Sequence, residues 1–147
     1  MGFDIYGLKP KENGEKPEIL NKNFNSLTDK EQDLYVEKHA DWEKENPGFY
    51  FRSNIWYWRP LWEYVCKVCD EVMTEDDEDA GYTNNGLEIS EDTVDNMVSK
   101  LLVEMASGKH EEYAKNYALF HNDYRFDVKT LEEFVSFLSE SGGIKIC

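Results

Sequence analysis

The chain is poor in cysteine, with three among 147 residues. An odd, small number at no framework spacing excludes a disulfide scaffold and points to a reducing, cytoplasmic location. No apolar run approaches the roughly 18 residues that a membrane helix needs, and no leader-like segment opens the chain. No membrane role is expected. Glycine-rich phosphate loops, Ser/His/Asp arrangements and histidine-rich metal motifs are all missing. The enzyme question therefore stays open and leans to a non-enzymatic role, with no cofactor expected. Basic residues are scarce as well, 16 Lys and Arg against 31 Asp and Glu, for a net charge of -15. Such a chain repels phosphate backbones and anionic membranes, which argues against direct nucleic-acid binding. A basic protein would be attracted to it.

What is present is a folding composition. Hydrophobic residues make up 40% and aromatics 14%, which suits one ordinary domain over residues 1–147 with a core of large side chains. Gly2 to Gly7 alternates as a short strand. Residues 8–26 read as a loop. Thr28 with Glu31 forms a capping box for a helix over about 29–45, a possible insertion spanning 27–46, ended by Asn46-Pro47-Gly48. Phe49 to Arg59 reads as extended. Pro60 then suits the first position of a helix running to about Met73. Residues 74–89 read as an acidic loop. Ser90 caps a helix with the stripe Val94, Met97, Val98, Leu101, Leu102, Met105, stopped by Gly108. A helix over about 109–121 follows. Asp127 caps the last helix, and Ile144 to Cys147 is a final strand. The expected fold class is α+β, four to five helices packed on a small sheet of short strands.

Residues 48–62 stand apart, with seven aromatics in fifteen residues and three of the four tryptophans. As a strand, one face would carry Phe51, Ser53, Ile55 and Tyr57, and the other Arg52, Asn54, Trp56 and Trp58. Indoles stack on bases, guanidinium groups fork onto phosphates or carboxylates, and an amide both donates and accepts. Tyr50, Arg52, Asn54, Trp56, Trp58 and Arg59 are therefore the candidate site for a small anionic or nucleotide-like ligand. The alternative is that Arg52 and Arg59 stack on the rings and pair with the many acids nearby.

Two further constellations each have a plainer reading. Cys66 and Cys69 form a C-x-x-C pair, a weak metal candidate inside a hydrophobic helix. Without partners at ligand spacing they read as buried thiols. Residues 70–95 hold eleven acids and no Lys or Arg. The densest run, Glu75, Asp76, Asp77, Glu78 and Asp79, is either a solvated loop or a docking surface for a basic partner. Its spacing does not fit a calcium loop. His110 and His121 are isolated and read as surface helix positions.

The block Tyr50 to Trp62, the opening Met1-Gly-Phe-Asp-Ile-Tyr-Gly7 and the closing Gly142-Gly143-Ile-Lys-Ile-Cys147 together resemble a family of small phage and bacterial proteins. Its members carry Met-Gly-x-Asp-x-Tyr-Gly, a Tyr-Phe-Arg-Asn-Asn-x-Trp-Trp-Trp-Arg-Pro-Leu-Trp block and a Gly-Gly before a last strand. Ser53 and Tyr57 depart from that block. Gly81 to Gly86 is similar to a further turn of the family. Some members carry extra paired cysteines that could hold zinc, an insertion this chain lacks. The resemblance implies a phage or prophage origin and an accessory, counter-defence role in the host cytoplasm. The leading expectation is a protein, possible as a homo-oligomer, that sequesters a defence signal. The runner-up is an acidic module, or nucleic-acid mimic, that blocks a basic host protein.

Overall fold

The computed structural model describes residues 2–147, so the Met1 of the opening motif lies outside it. The chain runs β1 (Gly2–Gly7), two 3-10 turns (Glu18–Asn21 and Phe24–Ser26), α1 (Asp29–Glu45), β2 (Tyr50–Asn54), α2 (Ile55–Val68), α3 (Glu75–Tyr82), β3 (Leu87–Ile89), α4 (Glu91–Ser107), α5 (Lys109–Phe120), α6 (Val128–Ser141) and β4 (Ile144–Ile146). The strands form one antiparallel sheet in the order β2-β1-β4-β3. This is the α+β class expected, with one strand more than the sequence suggested.

Alternation in β1 buries Phe3 and Ile5 while Asp4 and Tyr6 face outward. Ile144 and Ile146 of β4 join them against α2, α4 and α6. The stripe of α4 buries Val94, Met97 and Leu101, although Leu102 is 52% exposed. In α6 Leu131, Phe134, Val135, Phe137 and Leu138 are buried. Local caps follow the sequence closely. The Thr28–Glu31 capping box is formed, and Ser90 and Asp127 accept from Thr93 and Thr130 backbone N–H groups. Gly108, at φ 78°, turns α4 directly into α5, a conformation that favours glycine. Among the described residues no helix is long and apolar enough to cross a membrane.

Two segments differ from the sequence reading. The extended stretch stops at Asn54, and α2 begins five residues before Pro60 and ends at Val68 rather than Met73. The cause is Asn54, whose side chain accepts from the Trp56 and Tyr57 N–H groups and so caps the helix. Pro60 then sits inside α2, where it leaves the carbonyl four residues back without its helical donor. That carbonyl belongs to Trp56, and the Arg125 N–H donates to it at 3.0 Å. A distant backbone group thus satisfies the acceptor that proline orphans.

The acidic segment is also not a loop. Thr74 and Asp77 form a reciprocal capping box that starts α3, and Leu87–Ile89 pairs with β4 as β3. Acids in the first turn of α3 are favoured by the positive end of the helix dipole.

Candidate functional site

The six residues that strand alternation would gather are dispersed by the switch from β2 to α2. Asn54 is consumed as a helix cap. Trp58 is fully buried, stacked between Phe3 at 5.4 Å and Trp62 at 5.3 Å, and its Nε1 donates to the Gly81 carbonyl at 2.7 Å. Tyr50 donates its hydroxyl to the Asp4 carboxylate, and Arg52 Nε lies 3.8 Å from the same group. Burial, with Asp4 beside it, pushes the Tyr50 hydroxyl pKa well above the usual tyrosine range. Trp56 and Arg59 stay exposed, in the first half of α2.

Those two residues border a groove made with partners that the sequence reading did not select. α2 contributes Tyr57, Arg59 and Glu63. The end of α3 contributes Tyr82, and the end of α5 contributes Tyr117 and His121. The connection to α6 contributes Tyr124, Arg125 and Asp127. They enclose two adjoining clefts of about 410 and 390 Å³ that share Tyr117, His121 and Tyr124. Each cleft holds one arginine, Arg125 in the first and Arg59 in the second.

Local bonds fix this wall. The Arg125 N–H on the Trp56 carbonyl clamps the connection to the first turn of α2. The Trp56 and Tyr124 rings pack at 5.0 Å beside it. His121 stacks on Tyr117 with centroids 3.8 Å apart and planes 7° apart. Burial raises the Tyr82 and Tyr117 hydroxyls above their ordinary value, so both remain protonated donors at neutral pH.

The chain holds three arginines. Arg52 is within reach of Asp4, whereas Arg59 and Arg125 have no carboxylate within 4.0 Å among the described residues. In a chain of net charge -15 two such guanidinium groups beside one groove are notable. They are free to fork onto a phosphate or carboxylate, while the tyrosine and imidazole rings offer stacking faces. One available signal was the rarity of arginine. Arg125 lies in a short interhelical segment between two aromatic residues, Tyr124 and Phe126, and periodicity says nothing about such a segment.

A third cleft, of about 460 Å³, lies apart from these between α2, α4 and α5. It carries Lys67 and Lys109 with Glu104 and Glu112, as many cations and carboxylates as line the arginine groove. Lys67 sits 5.6 Å from the Tyr113 ring centroid, and Tyr64 donates to Glu104 at 3.1 Å. The cations of this cleft are lysines, point charges without the planar fork that Arg59 and Arg125 offer a phosphate or carboxylate.

The cysteine pair is buried. Cys66 and Cys69 are 7% and 0% exposed, and burial pushes each thiol up to about 12. Cys69 Sγ points at the Met97 carbonyl, 3.7 Å away. Among the described residues no group of three or more His, Cys, Asp and Glu side chains is placed to hold a metal ion.

The acidic run is carried on α3. Glu75, Asp76 and Asp79 are exposed, Glu78 is half-buried, and Asp77 closes the capping box. The chain matches no family model, no curated protein and no solved structure.

Proposed function

We propose that this is a non-enzymatic binding protein that holds a small anionic, nucleotide-like ligand in the groove between α2 and the α5–α6 connection. The observation that carries this reading is the pair Arg59 and Arg125, each without a carboxylate partner, on either side of shared aromatic residues. A phosphate would meet the guanidinium forks, and a heterocycle would stack on the Tyr124 or Tyr117/His121 rings. Trp56 borders the site through Tyr124, while Arg52 and Tyr50 lie with Asp4 on β1 and β2. With the phage origin that the sequence resemblance implies, the bound molecule would be a host defence signal held out of circulation.

Isothermal titration against a panel of nucleoside phosphates, phosphodiesters and inorganic pyrophosphate tests the reading. Arg59→Ala and Arg125→Ala should each weaken binding by about tenfold or more, the scale of a charged hydrogen bond. Arg52→Ala should leave it unchanged. Failure of every panel member to bind, or equal loss in all three variants, overturns the assignment.

One observation favours the acidic-module reading as a second choice. The carboxylates of α3 stand on a helix bound to the core by two tryptophan N–H groups, so they form a fixed surface. A basic partner captured through it should be lost at high salt and by Asp76→Asn with Asp79→Asn, and should be indifferent to Arg59→Ala.

A further inference from the structure

We infer that His121 is a proton-dependent ligand of this groove, an acceptor towards the bound molecule when neutral and a cationic donor to its phosphate when protonated. The inference rests on the binding role proposed above and adds how that site is regulated. His121 follows the last residue of α5, and its Nδ1 lies 3.1 Å from the carbonyl oxygen of Tyr117. That carbonyl is among the last four of the helix, which lack intrahelical donors. Nδ1 must therefore carry the hydrogen, and it donates to Tyr117. The tautomer follows: Nε2 is the nitrogen left for another partner, as a lone pair in the neutral ring and as N–H in the cation. The ring stacks on Tyr117 at 3.8 Å and is shared by both clefts, so its position is set before any ligand arrives.

The groups around it come from every neighbouring element. α2 presents Arg59 and Glu63, α3 presents Tyr82, α5 presents Tyr117, and the connection presents Tyr124, Arg125 and Asp127. Two cations and two carboxylates nearly balance, so the charge that an entering anion brings decides whether a third cation is favoured. Histidine is the side chain whose charge ordinarily changes between about pH 5 and 8. Binding of an anion should therefore take up a proton.

The test uses cyclic adenosine monophosphate, a phosphodiester whose own charge is constant across this range. Its affinity for the intact protein should rise about tenfold as pH falls from about 8 to about 5.5, the scale of one added charged hydrogen bond. Titration in buffers of different ionisation enthalpy should show proton uptake on binding. His121→Gln should bind with no pH slope and no proton uptake, and His121→Phe, which keeps the stack, should behave alike. Binding that persists without a pH slope in the unaltered protein, or a slope retained in His121→Gln, overturns the role of His121 while leaving the groove intact. No binding of this probe at any pH, with other nucleotides bound through Arg59, also overturns it. No binding of any nucleotide sinks the groove itself.

Discussion

Trp58 and Trp62 stack at 5.3 Å, one helical turn apart on α2, and each indole N–H donates to a carbonyl of α3, Gly81 at 2.7 Å and Glu78 at 2.9 Å. The two most conspicuous sequence features, the aromatic block and the acidic run, are therefore one structural unit. Gly81 makes their approach possible. A Cβ there would stand 1.8 Å from Trp62 Cε2, inside the ring's own volume. Two effects compete in Gly81→Ala. Helix propensity would favour alanine by about 1 kcal/mol. Overpacking against a fully buried indole costs about 1–3 kcal/mol or more, because a rigid ring cannot give way like a flexible side chain. Here the contact is with the ring itself, so overpacking wins. Gly81→Ala should destabilise the protein by about 2 kcal/mol net in urea unfolding. An unchanged or raised midpoint would show that α3 can slide off Trp62.

At the level of elements, α1 is the one tied most loosely to the rest. Trp42 is its buried residue, and the helix lies chiefly against the turn Glu18–Asn21 rather than the sheet. Trp42 does not belong to the main core cluster. The helix end is held by Asn46, whose Nδ2 donates to the Trp42 carbonyl at 2.8 Å. Truncating a buried tryptophan costs about 3–5 kcal/mol, and here that loss falls on a satellite. Trp42→Ala should strip hydrogen-exchange protection from residues 29–45 while α2, α4 and α6 keep theirs. Simultaneous loss of protection in all four helices would refute the separation. The same elements show which parts of the fold the sequence reveals. Thr28, Ser90, Asp127 and Gly108 act through bonds within a few residues, so their helices are readable at the correct ends. Asn54 acts just as locally, but the β-prone aromatics after it mask the cap. The helix α3 is hidden because its acids resemble a solvated loop and its anchors lie on α2. Strand β3 is hidden because its partner, β4, comes at the end of the chain. The groove is hidden for a like reason: the orphaned Trp56 carbonyl and the packing of Tyr124 and Phe126 on Trp56 and Tyr64 bring Arg125 to α2, and no spacing rule connects residues 56 and 125.

For the molecule as a whole the governing quantity is the excess of 31 acids over 16 Lys and Arg. Five ion pairs are formed among the described residues, and their separations show how little they offset. Lys9–Glu91, Lys11–Glu140 and Arg52–Asp4 stand at 3.9, 4.0 and 3.8 Å, and only Lys100–Glu71 closes to 3.0 Å. The fifth, His39–Glu43 at 3.3 Å, counts only while the imidazole is charged. Exposed pairs of this kind contribute about 0–1 kcal/mol each. Salt weakens them, and it also weakens the mutual repulsion of the unpaired carboxylates, which acts over the whole surface. The screening length falls from about 30 Å at 0.01 M to about 10 Å at 0.1 M and about 3 Å at 1 M. At the lowest of these the repulsion spans a chain of this size. At the highest it reaches no further than a neighbouring side chain. Repulsion grows with the square of the net charge, while the pairs add only singly, so its relief should dominate. Raising sodium chloride from about 0.01 to 0.5 M should lift the thermal midpoint by about 3–6 °C, as a gain of 1–2 kcal/mol would in a domain of this size. A midpoint that falls with salt would mean that the few ion pairs, and not the unbalanced carboxylates, set the electrostatic stability of the fold.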